Sequence, residues 1–470
     1  MPDEPTPLPA DLVSRLPERW AQLATGICGT LARAGHRGWI VGGAVRDLLL
    51  DRDIKDVDLV SAALPEEVEG LFERTVAVGK SFGIIVVVMD GAEVELATFR
   101  RERGYSDRRR PDEVEYAAAP EEDAGRRDFT CNAIYLDPLT GELRDPVGGL
   151  ADLRAGVLRA VGDPGGRFRE DGLRILRMAR FHAALELEPA PGLLAAAEAE
   201  RASLAGVSAE RVREELQKML RGARAHRALQ VLVNGGHAAA VLPSMGRDAA
   251  VASRLRVLAA LGALWDQEPR AVVDSNKAAG DEPTASWRWE LGLSALFGPL
   301  ERVIEGAEQA EPAAALVPSL EALRCSREER RVVTELSIGC EALRSLAAKP
   351  RPGGLSDVAL PVGAEARGGL IQLWRRPTRA ASAQLARALE ATLSGEAAGR
   401  RLESILGLLS ELESEAPLVP VTLSAGDLQD LGVPRGPLLG TLLRRVQRAS
   451  LGGAFEDRPG ALGWVEGQVR

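Results

Sequence analysis

Gly42-Gly43-Ala44-Val45-Arg46-Asp47-Leu48-Leu49-Leu50-Asp51-Arg52-Asp53-Ile54-Lys55-Asp56-Val57-Asp58-Leu59-Val60 is the stretch whose reading decides the fold of this 470-residue chain. A glycine pair, Gly42 and Gly43, follows the apolar run Trp39-Ile40-Val41 and opens a predicted helix that carries Arg46 in its first turns. Glycine lets backbone N–H groups close on an anion, and a helix N-terminus adds a favourable dipole. Arg46 adds a charge-assisted contact to the same anion. Further on, Asp56 and Asp58 flank one apolar residue in a second predicted strand, where positions i and i+2 share a face. Two adjacent carboxylates suit Mg²⁺, which is commonly held by one or two carboxylates plus substrate phosphates. A phosphate cradle beside a metal platform points to metal-assisted phosphoryl or nucleotidyl transfer. Taken singly, each half has a plainer reading, as a turn before a helix and as a solvated strand edge. Neither the Gly-x-Gly-x-x-Gly dinucleotide pattern nor the P-loop pattern is present.

Gly-Gly-Ala-Val-Arg-Asp-Leu-Leu-Leu followed by Lys-Asp-Val-Asp-Leu-Val resembles the signature of the class II CCA tRNA nucleotidyltransferase and bacterial poly(A) polymerase family, within the polymerase-β-like nucleotidyltransferases. The resemblance implies an α/β catalytic head followed by all-α neck, body and tail domains. The expected divisions are residues 1–150, 151–222, 223–348 and 349–470.

Composition agrees with a helix-rich protein: Leu and Ala dominate, aromatics make up 4% and the net charge is −9. That charge argues against general nucleic-acid binding, although arginines concentrate between 100 and 180, where a basic stripe can follow a phosphate backbone. No apolar run is long enough for a membrane span. The acidic, proline-rich start is unlike a signal peptide. Cys28, Cys131, Cys325 and Cys340 lack Cys-x-x-Cys spacing, so they read as reduced thiols in a cytoplasmic protein with no zinc site.

Along the chain, spacing predicts a helix over 11–34, strands at 39–41 and 56–60, a helix over 64–74 and a strand at 75–78. Strands at 84–89 and 93–100 flank the turn Asp90-Gly91. Residues 101–123 are charge-rich and aperiodic, which predicts a surface loop. The resemblance aligns it with a loop tied to adding the terminal A. The resemblance also puts Glu95 in the place of a third acidic residue of the metal site; the plainer reading is a polar residue on a half-exposed strand. Arg126-Arg127-Asp128-Phe129-Thr130-Cys131-Asn132-Ala133 resembles the family's ribose-contacting motif. It implies that Asp128 accepts from a ribose hydroxyl and that Arg127 reaches sugar or triphosphate. Asp128 also stands where a simple helix cap would.

Asp171, Arg174, Arg177 and Arg180 recur every third residue within 168–181, which predicts one face of a continuous amphipathic helix. An i,i+3 salt bridge is its plain reading. The resemblance to Glu-Asp-x-x-Arg implies instead that Asp171 and Arg174 read the Watson–Crick edge of the incoming base, with Arg177 and Arg180 placed for phosphates. Cytosine and adenine both offer an exocyclic amine to a carboxylate, whereas uracil and guanine would face it with a carbonyl. Gly172 is expected to soften this helix so that head and template rotate against each other.

Helices are predicted over 208–220 and 223–233, an exposed loop over 268–286 and a hinge over 349–355. Residues 208–216 resemble the family's last shared motif, with a structural role supporting the template. Residues 423–440 resemble a family tail element, read either as an RNA-phosphate contact or as a packed helix–turn–helix. His36, His182, His226 and His237 form no His-Asp pair, which excludes the phosphohydrolase domain of some relatives. The implied partners are the tRNA 3′ acceptor end, CTP and ATP, with Mg²⁺ as cofactor and no membrane. The alternatives are a poly(A) polymerase or A-adding enzyme of the same family, and an inactive RNA-binding relative.

Overall fold

The computed structural model describes residues 12–79, 83–103, 113–242, 249–267, 288–297, 313–334, 420–451 and 454–469, with shorter helical pieces at 336–337, 383–388, 402–403, 406–407 and 410. The predicted loop at 268–286, the hinge at 349–355 and the centre of the 101–123 segment lie outside the described residues. The chain divides into two compact units, Met1–Leu216 with Arg227–Pro243, and Gln217–His226 with Ser244–Arg470.

The first unit is built on a seven-stranded mixed sheet. Its strands are β1 (Gly38–Val41), β2 (Asp58–Ser61), β3 (Thr75–Gly79), β4 (Ile84–Met89) and β5 (Ala92–Thr98). A hairpin of β6 (Arg100–Arg103) and β7 (Glu113–Tyr116) stands apart from it, and β8 (Tyr135–Leu136) and β9 (Leu143–Arg144) complete the sheet. The order is β3-β4-β5-β2-β1-β8-β9, with only β2 and β5 parallel. β1 is central and buried along its whole length. β5 alternates, burying Ala92, Val94, Leu96 and Thr98 while Glu93 and Glu95 face outward. That is the period of a half-buried strand.

Helix α1 (Glu18–Arg33) buries Leu23, Ala24, Ile27, Cys28 and Leu31, a stripe at helical spacing. The predicted helix over 11–34 is interrupted: a 3₁₀ turn at Val13–Arg15 precedes it, and Pro17, which has no N–H to donate, stands just outside α1. Another core cluster joins Trp39, Val41, Val60, Phe99 and Tyr135, the last two rings meeting edge to face with centroids 6.3 Å apart.

The 101–123 segment is more ordered at its ends than its composition suggests. Arg101 pairs in register with Glu115, so opposite charges lie across that position of the β6–β7 ladder. Arg101 also pairs with Glu122 of α4 (Pro120–Ala124).

After the sheet come α2 (Gly43–Leu49, opening at the glycine pair), α3 (Pro65–Leu71) and α5 (Gly149–Arg154) in their places in the chain, and then α6 (Pro164–Glu170), α7 (Leu173–Leu185), α8 (Leu193–Ala199) and α9 (Ala209–Leu220). The predicted continuous helix over 168–181 is thus two helices. Asp171, with φ −149° and ψ 105°, is extended and ends α6. Gly172 is helical (φ −57°, ψ −24°), a conformation open to any residue. Its lack of a side chain is needed for close approach: a Cβ there would lie 2.4 Å from the Ser203 carbonyl oxygen. Backbone packing gives Gly172 a structural reason of its own.

In the second unit, helices Ala249–Gln267, Arg288–Phe297 and Ala313–Ala322 precede a C-terminal cluster. There Ser424 and Asp427 cap Ala425–Asp430 reciprocally, and Leu428, Val446, Ala449, Ala461 and Val465 form a shared core. The packed helix–turn–helix reading of 423–440 describes this element.

Gly172→Ala is expected to lower the melting temperature. The added methyl meets backbone that cannot swing aside, at a cost of about 1–3 kcal/mol. An unchanged or raised melting temperature in a thermal scan would remove the packing argument.

Candidate active site

The end of β1 and the start of β2 place the first group of side chains. Val41 pairs with Asp58, so the glycine pair that follows Val41 arrives beside the first residue of β2. Gly42 has φ +78°, a region that favours glycine, and a Cβ there would lie 3.9 Å from both Asp58 Oδ2 and Arg127 Nη1. β2 and β5 run parallel with Leu59 opposite Leu96, which brings Asp58 alongside Glu95. The strand begins at Asp58 rather than Asp56, so Asp56 lies in the extended approach to it. Asp56, Asp58 and Glu95 all reach solvent.

Asp58 feels the charges of the other two. The protein packed around Asp58 pushes its carboxyl up to about 6, with further upward contributions from Glu95 and Asp56 and an opposing one from Arg127. Among the described residues, no group of three or more His, Cys, Asp or Glu side chains is drawn together tightly enough to hold a metal ion. Asp56 and Asp58 are the carboxylates that would serve a cation such as Mg²⁺, which is commonly held by one or two carboxylates plus phosphates and water.

A second group lies behind the first and is paired throughout. Arg127 donates to Asp123 Oδ2 from Nη2 (2.8 Å) and Nε (3.0 Å), and to the Tyr135 hydroxyl (3.1 Å). Burial opposes charge on Asp123, but Arg127 and Arg126 outweigh it and hold this carboxyl below its ordinary value. Arg46 donates from Nε and Nη2 to Asp47 and from Nη1 to Asn132 Oδ1 (2.8 Å). Asp128 is buried; its Oδ1 accepts from the Phe129 N–H (2.8 Å) and Asn132 Nδ2 (3.0 Å), and its Oδ2 from Arg177 Nε (2.7 Å). Arg180 donates to Glu215 Oε2 (2.6 Å), and Arg177 reaches Glu215 Oε1 at 3.4 Å. The guanidiniums of Arg46, Arg177 and Arg180 stand 5.2, 5.1 and 4.1 Å from the ring centre of Phe181. Burial, then repulsion from Arg177 and Arg46, pulls the Arg180 pKa down against the pull of Glu215.

A third group holds the two residues expected to read a base. Asp171 accepts from Arg211 at both oxygens (Oδ1 3.1 Å, Oδ2 2.7 Å) and from the Leu173 N–H. Arg174 is buried and donates to Glu170 Oε2 (2.6 Å) and to the carbonyls of Arg167 (3.1 Å) and Arg126 (3.0 Å). The i,i+3 bridge between Asp171 and Arg174 is therefore replaced by partners on either side. Arg177 and Arg180, expected at phosphates, face Asp128 and Glu215. Asp123, Asn132, Tyr135, Arg211 and Glu215 complete the arrangement without having been singled out as site residues. Arg211 and Glu215 belong to the stretch read as structural support, and only its Arg-x-x-x-Glu spacing could have marked them.

The Asp128–Arg177 pair makes the first unit acid-sensitive. Burial raises the Asp128 pKa, but Arg177 and the hydrogen bonds from Asn132 and Phe129 hold it well below the carboxylate range. A depressed pKa contributes stability above the unfolded value of about 4 and loses it as pH falls. Asp128→Asn should lower the melting temperature at neutral pH and flatten its fall between about pH 5 and pH 2. An acid limb as steep as in the unmodified chain, measured by calorimetry, would refute this.

Residues 38–159 match the family model described as the poly A polymerase head domain, and residues 186–247 match the probable RNA and SrmB-binding site of polymerase A. The chain is 45% identical over 188 residues to a CCA-adding enzyme of Bacillus pumilus, covering 40% of this chain and 47% of that one. It is 44% identical over 191 residues to a CCA-adding enzyme of Geobacillus thermodenitrificans, covering 41% and 47%. The chain thus spans about half the length of these curated relatives. Over nearly its whole length it resembles the crystal structure of the Bacillus stearothermophilus CCA-adding enzyme in complex with CTP (TM-score 0.69, 29% identity, 97% of this chain and 98% of that one). The Thermotoga maritima CCA-adding enzyme complexed with tRNA shares the fold (TM-score 0.61, 18% identity, 98% of each). Through residues 38–159 the chain carries a poly A polymerase head domain, and it is similar there to CCA-adding enzymes.

Proposed function

We propose that this protein is a CCA-adding tRNA nucleotidyltransferase, transferring CMP and AMP from CTP and ATP to the tRNA 3′ end with release of pyrophosphate. The observation that carries the reading is the gathering of Asp56, Asp58 and Glu95 beside Gly42 and Arg127 at the start of β2. Like charges collected there favour a divalent cation and a polyphosphate together. Asp56 and Asp58 would hold Mg²⁺, with Glu95 beside them. Held there, Mg²⁺ would supply a lowered pKa for the attacking hydroxyl and charge neutralisation for the triphosphate.

The chain's own residues supply position. The Gly42–Gly43 backbone receives the triphosphate at the start of α2, with Arg46 and Arg127 as the nearest guanidiniums. Asp128 and Arg127 face the ribose. The terminal tRNA 3′ oxygen attacks the α-phosphorus, its proton passes to solvent, and the bond to pyrophosphate breaks. Asp171 and Arg174 select a base that offers an amine to the carboxylate and an acceptor to the guanidinium, with Arg177 and Arg180 holding the helix that carries Arg174. Residues 1–150 form the catalytic head and 151–222 the neck, with body and tail over 223–348 and 349–470 contacting the tRNA. No helix among the described residues is long and apolar enough to cross a membrane. A tRNA substrate and unpaired buried thiols at Cys28 and Cys131 support a cytoplasmic place of action.

Incubation with tRNA transcripts ending before CCA, after C and after CC, in Mg²⁺ with CTP, ATP or both, tests the reading. Addition of CC then A, and no further, is expected. Addition of A to the CC-ended transcript alone would reassign the protein to A-addition, and a long A tail to poly(A) synthesis. Asp58→Ala should abolish incorporation of every nucleotide without unfolding the chain. Retained turnover would remove Asp58 from the metal site. Exchanging Asp171 or Arg174 should relax the preference for CTP and ATP over UTP and GTP by roughly a hundredfold or more. An unchanged preference would refute the template assignment.

A further inference from the structure

The loop from α2 to β2 is held at several points before it reaches Asp56. Asp51 has φ +56°, a left-handed conformation uncommon outside glycine, and its carboxylate accepts from Arg15 Nη2 at 2.8 Å. Next to it, the Arg52 N–H donates to the Asp47 carbonyl at 2.8 Å, which keeps Arg52 against the end of α2. The Arg52 side chain reaches a different helix. Its Nη1 donates to the Ala184 carbonyl at 2.8 Å, in the last turn of α7. The last carbonyls of a helix lack their usual intrahelical partner, and the helix C-terminus carries partial negative charge. The N–H four residues beyond Ala184, that of Glu188, goes to the Gly156 carbonyl at 2.7 Å, and the helix ends at Glu186 in the left-handed region (φ +57°). A guanidinium therefore stands where α7 offers both an acceptor and the negative end of its dipole.

We propose that Arg52 is a positioning residue that ties α7, with Arg174 near its start, to the loop that carries Asp56 and Asp58. The proposal rests on the nucleotidyltransferase reading. Arg174 and Arg177 fasten the first half of α7 to residues 126–128. Arg52 fastens the last turn of α7, and does so to the segment that leads into the carboxylates proposed for Mg²⁺. Between these points, the Arg46 guanidinium of α2 stands 5.2 Å from the ring centre of Phe181. A helix fixed near both ends cannot pivot, so the base reader keeps one distance from the reacting phosphate. A nucleotide gripped at base and triphosphate together gains from that fixed separation. A nucleotide gripped by its triphosphate alone gains nothing from it.

The test compares CTP with UTP on a tRNA transcript lacking CCA, using the full chain and its Arg52→Ala and Arg52→Lys variants. Arg52 is exposed, and the ratio of kcat/KM for the two nucleotides does not depend on how much of a variant is folded. Arg52→Ala should lower the preference for CTP over UTP by about tenfold or more, through a loss with CTP. Arg52→Lys, which keeps a charged donor for the Ala184 carbonyl, should recover part of that preference. Where turnover of UTP is too slow to follow, the ratio of CTP to UTP affinities from titration calorimetry gives the same readout. Inhibition by inorganic tripolyphosphate, which occupies the triphosphate end alone, should be equal in all three proteins. A variant slower with both nucleotides alike, at an unchanged ratio, would make Arg52 merely structural and overturn the proposal. Tripolyphosphate inhibition weakened in step with the loss of CTP would put Arg52 at the triphosphate end, and overturn it as well. Failure of the unmodified chain to incorporate any nucleotide would instead overturn the enzymatic reading, and the proposal with it.

Discussion

A buried carboxylate must be neutralised where it lies, and Asp128 is neutralised by an arginine that arrives 49 residues later in the chain. Removing one partner of such a pair leaves the other charged in a poorly solvating interior, at about 3–5 kcal/mol. The pair therefore joins the end of the sheet region to α7 as one body. Arg167 to the Gly125 carbonyl (2.8 Å) and Arg174 to the Arg126 carbonyl (3.0 Å) repeat the same connection through backbone oxygens. The loop carrying Arg127 and Asp128 is thus held on one side by the sheet and on the other by arginines of the helices that follow.

This arrangement gives the arginines of α6 and α7 a double part. In the proposed function Arg174 would read a base, but its guanidinium is already satisfied by Glu170 and two carbonyls. Asp171 is likewise satisfied by Arg211. A base entering between them therefore exchanges one set of hydrogen bonds for another, and gains only where its own pattern replaces what it displaces. An incorrect base leaves a buried group unmatched, which penalises it more than a correct base is rewarded.

The sequence made the head legible where the signals are local. Gly42-Gly43 and the alternating run predicted at 93–100 each describe a backbone conformation within a few residues and fall where the sheet needs them, the latter as β5 over Ala92–Thr98; of Asp56-x-Asp58, only Asp58 lies in the strand. What was missed is non-local. The break at Asp171 comes from the approach of Gly172 to Ser203, about thirty residues on, which no helical periodicity reports. The β6–β7 hairpin escaped because β6 has no apolar residue to alternate with its polar ones, and its pairing partners in β7 lie ten or more residues away. The roles of Arg211 and Glu215 depend on partners 40 and 35 residues away. A spacing of three arginines was readable, but not what would face them.

The contrast between the two charge clusters has a physical logic. Inside, Arg46, Arg177 and Arg180 crowd one Phe181 ring, and Asp47, Asp128 and Glu215 balance them in kind. That cluster is electrically complete without a ligand, so it can fold as a rigid support before any nucleotide arrives. At the solvent-facing start of β2, Asp56 and Glu95 act against the charge of Asp58, with Arg127 opposing them. In the proposed function, balance within and imbalance at the mouth would let the site keep its shape and still gain by binding cations and phosphates. A site whose outer carboxylates were neutralised by protein arginines would be more stable empty, and would have less to gain from its ligands.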